Sequence, residues 1–132
     1  MLARASLLVR RAAVNATPVR HGSFTPNCSF DTIAREWRWK WSDTDEKASV
    51  ASSQAVLDAH KAALKLIPGV KSVQRIVCGG CQDFKVIVAL DASQFSGWKD
   101  KAFAPEEAFL QEVKKIKGVS RVETQTYTIM PV

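Results

Sequence analysis

The 132-residue chain has little of what marks an enzyme or a disulfide-built module, with three cysteines, two histidines and a single tyrosine. Neither His21 nor His60 has a second histidine at metal-pair spacing. There is no glycine-rich phosphate loop, and no Ser, His and Asp set stands out. Asp58 and His60 are two residues apart on a predicted helix and so do not share a face. These absences point away from catalysis. Beyond residue 30 no run approaches the ~20 apolar residues that span a bilayer. The chain therefore reads as soluble, or at most peripheral to a membrane.

A further absence lies at the start. Residues 1–30 contain Arg4, Arg10, Arg11 and Arg20 but no acid, the first being Asp31, and they hold much of the formal net charge of +6. The other residues carry 15 basic against 13 acidic side chains, a balance of +2. Leu2, Ala5, Val9, Ala12 and Ala13 fall on one helical face and Arg4, Arg10 and Arg11 on the other. These are the traits of a mitochondrial presequence, and "SLLV" is too short for a secretory core. The expected organisation is a leader over 1–30, cleaved between Arg20 and Phe30, and one domain over 31–132. The expected location is the matrix or the matrix side of the inner membrane.

What is present is a repeat. "LKLIPGVKSV" (Leu64 to Val73) and "VKKIKGVSRV" (Val113 to Val122) share an apolar-Lys-x-Ile-x-Gly-Val-x-x-Val pattern 49 residues apart. Each reads as a helix end, a glycine stop and a strand start. Ala55, Val56, Ala59, Ala62, Ala63, Leu66 and Ile67 recur with helical period before the first copy. Phe109, Leu110, Val113 and Ile116 do so before the second, after Pro105, Glu106 and Glu107 open the helix.

Strands surround these helices. "EWRWKWS" (36–42) alternates Trp37, Trp39 and Trp41 with Arg38 and Lys40. "SVQRIVC" (72–78), "DFKVIVAL" (83–90) and "SRVETQTYTIM" (120–130) are β-rich. The order strand, helix, strand, strand, helix, strand is the ferredoxin-like α+β plan, a four-stranded antiparallel sheet with two helices on one face. Its back stays open and must hold either the tryptophan ladder or residues such as Ile87, Tyr127 and Ile129. The connection from Asp91 to Ala104 carries Phe95, Trp98 and Phe103, either as a flap over the core or as a contact surface. Trp37, Trp39, Trp41, Phe95, Trp98 and Phe103 are thus the candidate interaction residues.

The Gly-Val-x-x-Val entry into two strands resembles the ligand-binding domains of leucine-responsive-type regulators, and the whole resembles small ferredoxin-like domains that dimerise back to back. These resemblances imply a homodimer that binds a small ligand between sheet and loop. The chain is also similar overall to small accessory subunits of protist respiratory complexes, cytochrome c oxidase above all. That resemblance implies a non-catalytic accessory subunit with other subunits as partners, and this is the main expectation.

Cys78 and Cys81 flank Gly79 and Gly80. A strand rather than a helix follows, unlike thioredoxin-type pairs, and a structural zinc would lack two further ligands. The expected role is a two-residue turn with both glycines at positive φ. Zinc shared with a second copy and a thiol role remain as alternatives. RNA binding is disfavoured, since the RNA-recognition module sharing this topology needs a basic-Gly-aromatic third strand and "DFKVIVAL" has one aromatic and no glycine.

Overall fold

A computed structural model describes residues 22–132. The expected leader falls mainly on residues 1–21, outside the described residues. Residues 22–30 form a hairpin of β1 (Gly22–Thr25) and β2 (Cys28–Phe30), with Phe24 and Phe30 rings 5.3 Å apart. There follow β3 (Thr32–Lys40), α1 (Thr44–Lys65), β4 (Val70–Val77), β5 (Asp83–Asp91), α2 (Ala92–Lys99), α3 (Glu106–Lys114) and β6 (Ser120–Ile129).

Strands β3 to β6 pair antiparallel in the order β4-β5-β3-β6, which is the ferredoxin-like arrangement with the first and third strands of the repeat at the centre. The glycine stops behave alike. Gly69 (φ +84) and Gly118 (φ +96) both take the left-handed conformation that ends a helix without a Cβ penalty. A Cβ at Gly69 would also run into Gln94, and one at Gly118 would meet Ser42 and Ser49.

The core fills the helix side of the sheet. Trp37, Trp39, Phe84, Val86, Val88 and Leu90 from the central strands meet Leu57 and Leu64 of α1, Phe95 and Trp98 of α2 and Phe109 and Val113 of α3. Buried aromatics each remove about 150–250 Å² from water, roughly 4–6 kcal/mol at ~25 cal/mol/Å². Stacking adds order: Trp39 lies on Phe84 at 5.0 Å and Trp37 on Phe109 at 4.8 Å. The tryptophan ladder is therefore core, and the open back carries Ala34, Glu36, Arg38, Ile87, Ala89 and Tyr127.

Two details depart from the sequence pattern. In α1 the alanines at 55, 59, 62 and 63 face solvent, and the enclosed positions are Ser49, Ser53, Leu57 and Leu64. The serines tolerate burial because they are bonded: Trp39 Nε1 donates to Ser53 Oγ at 2.9 Å, and Ser49 Oγ accepts from the Ser42 amide at 3.0 Å. Alanine's high helix propensity suits the outer face. Secondly, Asp91 to Ala104 is not a plain loop. Asp91 accepts from the Ser93 amide at 3.0 Å and caps α2, which inserts Phe95 and Trp98 into the core.

Candidate ligand groove

The helices do not cover the sheet evenly. On the helix side of the edge strand β6, Thr124 and Thr126 stay exposed, and a groove of about 390 Å³ runs along this strip. Ile33 and Thr128 line it from the sheet, Phe95, Ser96 and Lys99 from α2, and Phe24 and Phe30 from the hairpin. That volume is inside the range usual for small-molecule sites, and the lining is mostly apolar with a few hydroxyls. Lys99 stands at its side as an exposed ammonium.

Thr126 links this groove to a polar network. Arg35 NH1 donates to Thr126 Oγ1 at 2.9 Å and Arg35 NH2 to Thr124 Oγ1 at 3.0 Å. The same guanidinium grips Glu106 with two bonds, Nε to Oε1 at 2.8 Å and NH2 to Oε2 at 3.2 Å. Trp37 Nε1 adds a third bond to Glu106 Oε1 at 2.6 Å, and the Phe103 ring covers Arg35 at 4.1 Å. Glu106 opens α3, where a carboxylate also meets the positive end of the helix dipole. The bidentate pair holds its geometry better than a lysine could. Chemically the network offers fixed donors and hydroxyls next to an apolar slot. Such an arrangement is suited to binding and orienting a small molecule rather than to proton transfer.

The open face has its own polar cluster. Tyr127 OH donates to Glu36 Oε1 at 2.8 Å, and Arg38 NH1 lies 3.5 Å from Glu36 Oε2. Burial first, then the hydrogen bond to Glu36, pushes the Tyr127 phenol well above its ordinary range. At the far end Lys40 Nζ sits 2.6 Å from Asp83 Oδ1, and this hydrogen bond holds the Asp83 carboxyl below the usual range.

Most of the residues expected at an interaction surface lie inside. Trp37, Trp39, Trp41, Phe95 and Trp98 are buried and Phe103 is partly buried, because each faces the helix-covered side or the α2 corner. As contact residues they are corrected to core and to the covering of the network. Sequence reasoning missed Arg35 and Glu106. Arg35 breaks the apolar phase of β3, and that was the available signal.

Cys78 and Cys81 lie together in the turn between β4 and β5 and are joined as a disulfide. The positive φ expected of Gly79 and Gly80 falls instead on Gln82 (φ 58), because the turn spans more than two residues. Among the described residues no group of three or more metal-ligating side chains comes together, and no helix is long and apolar enough to cross a membrane.

No protein-family model matches the chain, and no curated protein matches it in sequence. Solved structures do match. SnoaB, a cofactor-independent oxygenase from Streptomyces nogalater, aligns over 77% of this chain and 96% of its own at 14% identity and a TM-score of 0.53. A dimeric ferredoxin-like protein from Bacteroides fragilis aligns over 76% and 99% at 12% identity and a TM-score of 0.55. Another, from Thermobifida fusca, aligns over 76% and 92% at 20% identity and a TM-score of 0.51. The shared fold is ferredoxin-like. These neighbours correct the expectation of a respiratory accessory subunit of cytochrome c oxidase: they are dimeric ferredoxin-like proteins and an oxygenase. The aromatic surface invoked for that role is also internal.

Proposed function

We propose that the protein is a homodimeric domain that binds a small molecule in the groove along β6. The observation that carries this reading is the juxtaposition of an apolar slot with the Arg35 and Glu106 network through Thr126. The dimeric neighbours support the homodimer, and the helix-free sheet back supplies a face for it, with Ala34, Ile87, Ala89 and Tyr127 at its middle. A ligand that fits has a flat apolar body for Phe24, Phe30 and Phe95, oxygen atoms for the threonine hydroxyls, and an acidic group for Lys99. An aromatic or alicyclic carboxylic acid has all three.

The oxygenase among the structural neighbours makes turnover on this fold a real alternative to plain binding. Here the carboxylate of the Arg35 network, Glu106, already accepts three hydrogen bonds, which suits anchoring more than proton abstraction. The test is a thermal-shift panel of hydroxybenzoic and naphthoic acids on the purified chain, with sedimentation equilibrium beside it. The expected result is a dimer whose melting point rises with at least one acid, the rise being lost in Lys99→Ala and Thr126→Val. A monomer, or a panel with no response, would overturn the reading. Consumption of a bound acid would turn it into an enzyme assignment.

A further inference from the structure

The turn carrying Cys78 and Cys81 lies beyond the Lys40 end of β3, whereas the groove lies at the Ile33 end. Several contacts already close this turn without the disulfide. The Cys78 amide donates to Asp83 O at 2.9 Å, the Trp41 amide to Gln82 O at 2.9 Å, and Lys40 Nζ to Cys81 O at 2.8 Å. Val77 and Phe84 stay in register beside it. A cross-link between residues three apart closes a very short loop, the class in which the loss of chain entropy on cross-linking is least. It is also accessible: Cys81 is exposed, and a Cβ built at Gly79 or Gly80 meets nothing within 4 Å. Exposed disulfides are the readily exchanged ones.

The two sulfurs are not equivalent. The Cys81 amide donates to Cys78 Sγ at 3.1 Å, a contact that stabilises negative charge on that sulfur. Cys81 Sγ has Asp83 Oδ2 at 3.4 Å, which disfavours a thiolate there. Around Asp83 stand Lys40, Lys85 and Arg38, cations that attract a thiol bearing carboxylates.

From this asymmetry we infer that Cys78 and Cys81 form a thiol–disulfide exchange site for a carboxylate-bearing low-molecular-weight thiol of the glutathione class. The thiolate attacks Cys81 Sγ, the Cys78–Cys81 bond breaks, and Cys78 leaves as a thiolate held by the Cys81 amide. A second thiolate attacks the small-molecule sulfur of the mixed disulfide and releases Cys81. Two thiols are thereby oxidised to their disulfide, and the protein pair gains two electrons and, from the thiols, two protons. The reverse sequence reoxidises the pair. Ligand binding in the groove is not required for either direction.

The experiment uses the full chain carrying Cys28→Ser, because Cys28 is a free exposed thiol. Protein is equilibrated over a series of reduced to oxidised glutathione ratios, quenched in acid, alkylated and weighed by mass spectrometry. The expected result is a reversible passage from disulfide to dithiol within that series while the circular dichroism stays native. A rapid-quench sample from oxidised protein and reduced glutathione should carry the adduct on Cys81 several-fold over Cys78, because the Cys81 amide stabilises Cys78 as the leaving thiolate. A pair untouched by millimolar glutathione in the folded state would overturn the proposal, as would an adduct chiefly on Cys78. The double variant Cys78→Ser with Cys81→Ser is expected to melt within a few degrees of the parent. A large fall would show a structural staple instead, and none of these outcomes bears on the groove.

Discussion

On the helix side of β3, Trp37 and Trp39 are enclosed and their indole N–H groups are bonded to Glu106 and Ser53. On the back, the same strand presents Ala34, Glu36 and Arg38 to a surface that no helix covers. Both sides alternate, and both contain buried atoms. They differ in what completes them. The helix side is finished within the chain: Trp37, Trp39 and Arg35 have partners from α1, α3 and β6, and among the described residues only Trp41 Nε1 is a buried side-chain polar atom without one. On the back, Ala34, Ile87 and Ala89 form a small buried cluster with Tyr127 packed against it, and no helix lies over them. On the reading proposed above, stability belongs to one face and association to the other.

The largest expected effect comes from the enclosed side. Trp39→Ala removes the ring stacked on Phe84 and Phe109 and leaves the buried Ser53 hydroxyl without its donor. A loss of about 3–5 kcal/mol is expected for a buried tryptophan, with up to ~1 kcal/mol more from the stranded hydroxyl. Urea unfolding measures it. A loss below ~1 kcal/mol would break the division between the faces.

The next effect belongs to the back. Ile87 lies directly opposite Glu36 in the ladder, so Ile87→Arg places opposite charges together within one chain and like charges together across a back-to-back pair. The expected outcome is a folded monomer by sedimentation, with dimer affinity reduced about 100-fold or more, roughly 2.7 kcal/mol. Ile87 is nearly buried beside Ala34, Ala89 and Tyr127, so the variant should also lose about 1–3 kcal/mol of monomer stability, still less than Trp39→Ala. A variant that stays dimeric would place the contact elsewhere.

How much of this was legible depends on whether one element or several decide a position. The repeat gave away Gly69 and Gly118 and hence the topology, because a left-handed stop is a local requirement. Strand alternation gave β5 correctly, since Phe84, Val86, Val88 and Leu90 need only one apolar layer above them. The inner face of α1 was misread, because Ser49 and Ser53 are buried only by virtue of hydrogen bonds to residues of the β3 end, which periodicity does not register. Helix α2 was missed for a related reason: Gly97 lies inside it and its cap, Asp91, also ends a strand. The Arg35 and Glu106 pair joins residues 71 apart, and no sequence spacing announces such a contact.

The smallest effect also lies on the back and sharpens the comparison by its weakness. Asp83 titrates in the folded chain below its ordinary value of 3.8, chiefly through its hydrogen bond to Lys40, with desolvation opposing. A carboxyl lowered in this way stabilises the folded state above the unfolded value and loses that contribution as pH falls through the folded one. The window is therefore below pH ~4, out of reach of physiological variation. Lys40 is itself half open to water, so screening keeps the contribution small. Lys40→Met should flatten the part of the acid limb that Asp83 contributes, measured as the unfolding midpoint in urea from neutral pH downward. Neutral stability should scarcely change. If Lys40→Met cost as much as Trp39→Ala, the back would be a second core rather than a surface awaiting its partner, and Ile87→Arg would then be expected to unfold the chain instead of separating two copies.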